Sequence, residues 1–212
     1  MVNFVYAVGD RDTRECMLID PAYDVNAVVD IVEADGMQVT GVLATHYHPD
    51  HVGGSMGPYK IQGVHTLLER LGVKIHVQAA EAEFVKKVTA LSDADLVLHQ
   101  SGDVVTVGSV PITLLHTPGH TPGSQCFLVD GRCISGDTLF LDGCGRTDLP
   151  GADPAQMYDS LAKLATLPDA TVVYPGHNYS APLSSGTIET VRTSNYVFRP
   201  KSREQWLAMF GS

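Results

Sequence analysis

The sequence is poor in basic residues and contains no long hydrophobic run. Its 14 lysines and arginines are outnumbered by 24 aspartates and glutamates, which gives a formal net charge of −10. DNA, RNA and anionic membranes attract basic surfaces, so this charge argues against nucleic acid and membrane as partners. An uninterrupted apolar stretch of about 18 residues, as a transmembrane helix requires, is also missing.

An export signal and a disulfide framework are missing as well. The N-terminal segment lacks the basic region, apolar region and small-residue cleavage site of a signal peptide. The four cysteines are scattered without framework spacing (Cys16, Cys126, Cys133 and Cys144). Free thiols suit a reducing compartment, so we expect a cytoplasmic protein. A length of 212 residues is sufficient for one domain, 1–212, with two packed layers.

Short apolar runs alternate with amphipathic segments along the chain, a pattern typical of an α/β protein. A hairpin is predicted from residues 3–8 and 16–20, on either side of a polar turn. Helices are predicted at 25–34, 62–72, 81–88 and 154–165, and one or two more after residue 179. Further strands are predicted at 39–45, 74–78, 103–107, 111–117, 125–130, 132–136 and 171–175.

Five histidines and two aspartates stand in turn-rich settings along the chain. The segment Thr-His-Tyr-His-Pro-Asp-His (45–51) carries four of them, and the other three lie in TPGHTPG, SGDTLF and YPGHNY. The seven residues are His46, His48, Asp50, His51, His120, Asp137 and His177. We expect all of them on loops at strand ends. Imidazole and carboxylate suit Zn²⁺, Fe²⁺ and Mn²⁺, and seven ligands are enough for two divalent ions that share a bridging group.

The other histidines are expected to be structural or exposed. His65, His76 and His99 fall in predicted helix, strand and loop with no evident partner. His116 lies four residues before His120, as in a helical metal-binding pair, but a strand that ends at Thr117-Pro118 is predicted there. We therefore assign none of these four to the metal site.

The ordered ligands resemble those of the metallo-β-lactamase superfamily. Its HxHxDH motif is matched by His46, His48, Asp50 and His51, and its later motifs follow in order over nearly the whole chain. The resemblance implies an αββα four-layer sandwich of two mixed β-sheets with outer helices. It also implies one metal on His46, His48 and His120, a second on Asp50, His51 and His177, and Asp137 as the bridge.

Within this superfamily, the segment GCGRTD (143–148) is similar to that of glyoxalase II and of the persulfide dioxygenases. In glyoxalase II the positions of Arg146 and Tyr179 contact glutathione. The resemblance thus implies a cytoplasmic hydrolase of hydroxyacylglutathione hydrolase type, which cleaves a thioester or ester with a metal-bound hydroxide. Zinc is the expected metal, with iron or manganese as substitutes. Asp50 would orient the hydroxide or relay its proton.

Alternatives remain open for the substrate residues and the reaction. Arg146 could instead order its loop through an ion pair with Asp142 or Asp148, and Tyr179 could be a packed aromatic. Glyoxalase II carries a large C-terminal helical domain, whereas 33 residues follow Tyr179 here. The persulfide dioxygenases share the shorter tail and use a single iron on two histidines and one carboxylate, which would be His46, His120 and Asp137.

Other classes fit less well. A nuclease of this superfamily would carry an added domain and basic surface, and a flavin-linked diiron reductase would have glutamate in place of His48. A β-lactamase would ordinarily be exported. A non-catalytic metal-binding scaffold is the distant alternative, although no ligand is missing. The segment 55–72 is amphipathic and could form the face of a homodimer, but packing within the chain explains it equally well.

Overall fold

The computed structural model describes residues 2–211, which divide into two compact units. The first unit is Val5–Leu114, and the second comprises residues 115–211 together with residues 2–4. Both units contain strands and helices, so the α/β prediction holds in each. Among residues 2–211, no helix combines the length and the apolar character needed to cross a membrane.

The first unit is built on a five-stranded mixed sheet. Its helices are α1 (Val25–Ala34), α2 (Pro49–Val52), α3 (Val64–Arg70) and α4 (Ala82–Thr89). Its strands are β1 (Tyr6–Asp10), β2 (Glu15–Ile19), β3 (Gln38–Leu43), β4 (Gly54–Met56), β5 (Tyr59–Ile61), β6 (Lys74–Gln78), β7 (Leu96–His99), β8 (Val104–Val107) and β9 (Val110–His116). The sheet order is β1-β2-β3-β6-β7, with β1 antiparallel to β2 and the other neighbours parallel. β4 and β5 pair as a separate hairpin, and β8 and β9 are antiparallel neighbours at the end of a six-stranded sheet.

The second unit contains four strands of the six-stranded mixed sheet and three α-helices. Its elements are β10 (Gln125–Val129), β11 (Arg132–Gly136), α5 (Pro154–Leu164), β12 (Val172–Pro175), β13 (Gly186–Thr187), α6 (Ile188–Ser194) and α7 (Arg203–Phe210). β10 and β11 are antiparallel, β11 and β12 parallel, and β12 and β13 antiparallel. Because β11 and β12 run in parallel, their C-terminal ends lie at the same edge of the sheet.

The end signals in the sequence explain where two of the helices begin and end. Asp24 caps α1 by accepting a hydrogen bond from the Ala27 amide, and Gly36 follows its end at φ 74°, the left-handed conformation that glycine adopts at low cost. Asp153 caps α5 through the amides of residues 155 and 156, with Pro154 in the first turn. Both predicted helices are confirmed to within one residue at each end.

Apolar side chains form a separate core in each unit. In the first unit, α1 and α3 cover the sheet with side chains such as Val29 and Leu67, which are fully buried. In the second unit, Met157 of α5 and Trp206 of α7 are fully buried in the other cluster. These cores hold the strand ends in place, and the strand ends carry the polar residues of the candidate site.

Several predicted boundaries were wrong, and short elements were missed. The first strand begins at Tyr6 instead of residue 3, and α2, β4, β5 and β7 were not predicted. The segment 55–72 divides into part of the β4–β5 hairpin followed by α3, with Tyr59 exposed at the hairpin. The homodimer face suggested for this segment stays a prediction.

Candidate metal centre

The HxHxDH segment lies where β3 leads into α2. His46 follows the end of β3 by three residues, and His48 is the cap residue of α2. Asp50 and His51 belong to α2 itself, so the expectation that every ligand would lie on a loop was wrong for these two. Pro49 in the first turn and Gly53 at the end confine this helix to a single turn.

The donor atoms of this segment converge in pairs. His46 Nε2 lies 3.1 Å from His48 Nδ1, and His51 Nε2 lies 3.4 Å from Asp50 Oδ2. The His46 and His51 rings are 4.1 Å apart at their centroids. His46, Asp50 and His51 are all buried, so three of the predicted metal ligands are withdrawn from bulk water.

Asp20 organises this cluster, and it was not among the predicted site residues. Its carboxylate accepts hydrogen bonds from the Thr45 amide (2.7 Å), the Thr45 hydroxyl (2.5 Å) and His51 Nδ1 (2.9 Å). Thr45 Oγ1 in turn lies 3.0 Å from His46 Nδ1. Asp20, His46 and His51 each have a donor atom within 4.8 Å of the others. Because both Asp20 oxygens already accept hydrogen bonds, we interpret Asp20 as the residue that orients the two histidines.

The sequence contained a weak signal for Asp20. It directly follows β2, the parallel neighbour of β3, and β3 leads to His46. Two adjacent parallel strands bring polar residues at their C-terminal ends to one edge of the sheet. Asp20 could be distinguished from the other acidic residues only once the pairing of β2 with β3 was known.

A buried glutamate holds the backbone between the first two histidines. Glu81 Oε1 accepts a hydrogen bond from the Tyr47 amide at 2.8 Å, and Glu81 is only 1% exposed. The Tyr47 ring stacks on Phe84 and meets the edge of His48. The backbone of Tyr47 is therefore fixed from one side while its ring supports His48.

In the second unit, Asp137 lies close to two histidines. Asp137 Oδ2 is 3.2 Å from His177 Nε2 and 3.6 Å from His120 Nε2. Asp137 follows β11 and His177 follows β12 after one glycine, so the parallel pair delivers both side chains to the same edge. One carboxylate oxygen near two ring nitrogens is the arrangement that a bridging ligand requires.

Glycine is required at two places around this cluster. A Cβ on Gly176 would lie 2.4 Å from Asp137 Oδ1, and a Cβ on Gly145 would lie 2.2 Å from the Asp137 carbonyl oxygen and 2.8 Å from the His120 ring. No side chain fits at either position without displacing a predicted ligand. Glycine at these two positions thus allows the backbone to lie directly against Asp137 and His120.

His120 is oriented by the backbone of a neighbouring loop. Its Nδ1 lies 2.8 Å from the Arg146 carbonyl oxygen, which can only accept, so Nδ1 carries the proton and Nε2 is directed at Asp137. Gly119, directly before His120, packs against Met157 of α5 and holds the backbone on that side of the ring. A hydrogen bond of 2.9 Å between the Thr117 and Thr138 hydroxyls joins the His120 and Asp137 segments.

The donor spacings fit a divalent metal ion. Donor atoms of a tetrahedral zinc site, each about 2.1 Å from the ion, lie about 3.4 Å from one another. The four donor pairs described above are 3.1, 3.4, 3.2 and 3.6 Å apart. His46, His51 and His120 each have the other ring nitrogen beside a hydrogen-bond partner, which leaves Nε2 for an ion. The clusters in both units are therefore suited to hold divalent metal.

The two predicted substrate residues lie in the second unit. Arg146 forms a bidentate ion pair with Asp148, with both N–O distances at 2.8 Å, and this pair raises the pKa of Arg146 and lowers that of Asp148. Tyr179 is 56% exposed and stacks on the His177 ring at 4.7 Å, while the edge of Phe140 packs against it. Burial raises the pKa of the Cys144 thiol to about 12, and Cys144 packs against the core of the second unit, so this thiol is protonated at neutral pH.

The remaining histidines have partners that the sequence did not reveal. His76 Nδ1 and His99 Nε2 are 2.8 Å apart, and the two rings stack at 5.1 Å. The expectation that these residues lack a nearby partner was wrong, because β6 and β7 pair in parallel and place them side by side. His116 Nε2 lies 2.9 Å from the Pro122 carbonyl oxygen, in agreement with its structural assignment.

Comparison with known proteins identifies the family. The family model for the Metallo-beta-lactamase superfamily matches residues 2–177, and the chain belongs to this superfamily. Among its relatives is a hydroxyacylglutathione hydrolase of Bradyrhizobium sp. (strain ORS 278), 40% identical over 185 residues. That match covers 84% of this chain and 64% of the relative, so the chain spans less than two thirds of its length.

Solved structures confirm the fold class. ETHE1 from Myxococcus xanthus is 32% identical, with a TM-score of 0.83 over 100% of this chain and 86% of that one. TTHA1623, solved in a di-iron-bound form, is 27% identical with a TM-score of 0.72 over 92% of this chain and 94% of that one. The predicted metallo-β-lactamase fold, α/β with two mixed sheets and helices, and the predicted branch, that of glyoxalase II and the persulfide dioxygenases, are both confirmed.

Proposed function

We propose that this protein is a metal-dependent hydrolase that cleaves the thioester or ester bond of a small-molecule, glutathione-derived substrate. The observation that carries the proposal is the spacing of the donor pairs, 3.1 to 3.6 Å, among histidines and aspartates that are buried except for the half-buried His48. The relatives named hydroxyacylglutathione hydrolase support this choice of reaction.

The proposed ligand sets are those that the superfamily motifs imply. One ion would be held by His46, His48 and His120 and a second by Asp50, His51 and His177, with Asp137 shared between them. The closeness of Asp137 Oδ2 to both His120 Nε2 and His177 Nε2 supports its bridging role. Zinc is the proposed metal, with iron or manganese as alternatives, because imidazole and carboxylate suit all three.

When bound, the ions supply Lewis acidity and lower the pKa of water toward neutrality. The chain's own residues prepare this chemistry by orienting the rings of the proposed ligands. Asp20 accepts from His51 Nδ1, and the Arg146 carbonyl accepts from His120 Nδ1, so Nε2 of each ring is the nitrogen left for an ion. Asp50 is a buried carboxylate that can also accept a proton from water during attack on the substrate carbonyl.

Arg146 and Tyr179 are the proposed substrate-binding residues. The Arg146 guanidinium is 67% exposed and can exchange Asp148 for a carboxylate of the substrate with the same bidentate geometry. The exposed Tyr179 ring, held on His177 and Phe140, offers an apolar face for the rest of the molecule. Together they favour a small anionic substrate.

A persulfide dioxygenase is the second candidate. It is favoured by the GCGRTD segment and by the similarity to ETHE1 over the whole chain. In that case a single iron would be bound by His46, His120 and Asp137, a set of two nitrogens and one carboxylate that leaves positions open for other ligands. A non-catalytic scaffold would bind metal and turn over neither substrate.

The most direct mutational test compares two histidines of the same segment. His120→Ala removes a proposed ligand, whereas His116→Ala removes a ring whose Nε2 lies against the Pro122 carbonyl. We expect His120→Ala to abolish S-lactoylglutathione hydrolysis, by at least about 10³-fold, and to lower bound metal. His116→Ala should keep both. Near-normal turnover and metal content in His120→Ala would refute the proposal.

A further inference from the structure

Asn195 is a buried side chain whose hydrogen bonds hold one loop. Its Oδ1 accepts from the amides of Gly143 (2.8 Å) and Val197 (3.1 Å). Its Nδ2 donates to the carbonyl oxygens of Phe140 (3.1 Å) and Gly143 (3.0 Å). Asn195 is 2% exposed and directly follows α6, so a residue at the end of a helix fixes the backbone of residues 140–143.

The same loop returns to two of the proposed metal ligands. The Gly145 amide donates to the Asp137 carbonyl oxygen at 2.8 Å, and the Arg146 carbonyl oxygen lies 2.8 Å from His120 Nδ1. The position of this carbonyl decides which His120 nitrogen carries the proton. The backbone between residues 143 and 146 therefore links the Asn195 amide to the orientation of His120.

Close packing leaves this loop little freedom to adopt another path. Gly143 has φ 95°, and a Cβ there would lie 2.9 Å from the Tyr196 hydroxyl oxygen. Beyond Arg146, the Thr147 hydroxyl donates to the Phe210 carbonyl oxygen of α7 at 2.9 Å. Residues after α6 thus contact the loop on both sides of Arg146.

We propose that Asn195 is a positioning residue for the metal centre. Its amide sets the path of residues 140–146 so that the Arg146 carbonyl holds the Nδ1 proton of His120. The proposal rests on the proposed function in taking His120 as a metal ligand. It adds that a residue remote from the proposed ligands in sequence contributes to metal affinity by holding the loop that orients His120.

Only an amide supplies both kinds of hydrogen bond that this place requires. Aspartate has the same shape and would still accept from Gly143 and Val197, but it cannot donate to the two carbonyl oxygens and would place negative charge beside them. Alanine would leave buried amide and carbonyl groups of the loop without these bonds. Both replacements should loosen the loop.

The test uses the full chain with Asn195→Ala and Asn195→Asp, and Ser194→Ala as the matched control. Ser194 is the exposed neighbour, and its hydroxyl donates to the Thr190 carbonyl within α6. Three quantities are measured. Amide hydrogen exchange at Gly143 and Gly145 and the ¹⁵N shifts of the His120 ring are recorded on metal-free protein. Zinc affinity is measured by competition with a chelator.

In both Asn195 variants we expect exchange at Gly145 to accelerate and zinc to bind roughly 10-fold more weakly, as for other residues that support metal ligands. The His120 shifts should lose the signature of a single Nδ1–H tautomer, while amides of α5 exchange as in wild type. Ser194→Ala should match wild type throughout.

The proposal is overturned if Gly143 alone exchanges faster while Gly145, the His120 shifts and zinc affinity match Ser194→Ala. The role of Asn195 would then be limited to the local structure at the end of α6. If Asn195→Ala does not fold, Asn195→Ser carries the same expectation with smaller changes, and wild-type values there overturn it. A wild-type protein without hydrolase activity would refute the proposed function, yet these three readouts would still decide the role of Asn195.

Discussion

At Asp20, one buried carboxylate accepts hydrogen bonds from three groups of the metal-ligand segment. Two come from Thr45 and one from His51. Asp20 itself has φ 51°, a left-handed conformation that costs about 1 kcal/mol or more in a non-glycine residue. The three hydrogen bonds that the Asp20 carboxylate accepts hold the residue in this conformation.

Asp20→Asn should weaken metal binding with little change of side-chain shape. An amide group facing Thr45 and His51 brings a donor where the native structure needs an acceptor. We expect zinc affinity to fall about 10- to 100-fold, measured by chelator competition. Asp12→Asn, in the exposed turn between β1 and β2, is the control and should bind as wild type does. Equal affinities in all three proteins would contradict the role assigned to Asp20.

Arg146 and Asp148 form a pair whose two members can be tested separately. If Arg146 binds a substrate carboxylate, Arg146→Ala should raise KM for S-lactoylglutathione by about 10-fold, the loss of a charge-assisted bidentate contact. Asp148→Asn should leave KM unchanged or lower it, because it frees the guanidinium. Steady-state kinetics of both variants provide the measurement. An equal rise of KM in both would mean that the ion pair only orders the loop.

At the scale of elements, α2 shows how a single turn of helix carries two ligands. Gly53, at its end, has φ 84°, and a Cβ there would lie 2.6 Å from the Gly63 Cα. A Cβ on Gly63 would in turn lie 2.1 Å from the Val52 carbonyl oxygen. The end of α2 and the start of α3 thus contact each other through two glycines. This contact fixes the position of α2, which carries the predicted ligands Asp50 and His51.

Gly63→Ala should therefore displace α2, whereas Gly72→Ala should not. Gly72 has nothing within 4 Å of the position of an added Cβ, which makes it the matched control. Overpacking should cost Gly63→Ala about 1 to 3 kcal/mol of unfolding free energy, and zinc affinity should fall with it. Urea unfolding and chelator competition measure the two effects. A Gly63→Ala protein with native stability and affinity would show that the contact is dispensable.

The elements that the sequence predicted are those with strong local signals. Periodic apolar positions and caps located α1 and α5, and the ordered candidate ligands with their turn residues indicated the superfamily. Short elements were missed because their stability comes from pairing with another segment of the chain and not from a pattern within the element. β4 and β5 have three residues each and exist through their pairing, and a periodicity cannot be recognised over so few positions.

The same reason explains the supporting residues that were missed. Asp20 reaches the histidines because β2 and β3 pair in parallel, and Glu81 reaches Tyr47 across 34 positions of sequence. Neither residue belongs to a local motif. Ligands with characteristic neighbours could be predicted from the sequence, but the hydrogen bonds that orient them depend on tertiary contacts.

For the whole molecule, the His76–His99 pair makes stability depend on pH. Burial, and then the charge of His99, lower the pKa of His76 from 6.5 to about 4. The unfolded chain takes up this proton near pH 6.5, while the folded protein takes it up only near pH 4. The contribution of neutral His76 to the free energy of unfolding is therefore fully present above pH 6.5 and is lost as the pH falls toward 4.

His76→Gln should reduce this pH dependence. Between about pH 7 and about pH 5, we expect metal-free wild type to lose roughly 2 kcal/mol more unfolding free energy than His76→Gln does. Urea unfolding of both proteins at the two pH values measures the difference. An equal loss of unfolding free energy in the two proteins would show that the pKa of His76 is similar in the folded and unfolded states.

The measurement that tests the central claim most directly is metal analysis of the whole protein purified without chelators, paired with two assays. One assay follows S-lactoylglutathione hydrolysis and the other oxygen uptake with glutathione persulfide. The proposed hydrolase predicts about two metal ions per chain and thioester cleavage that chelators abolish and zinc restores. One iron per chain with persulfide-dependent oxygen consumption and no thioester cleavage would contradict it in favour of the dioxygenase.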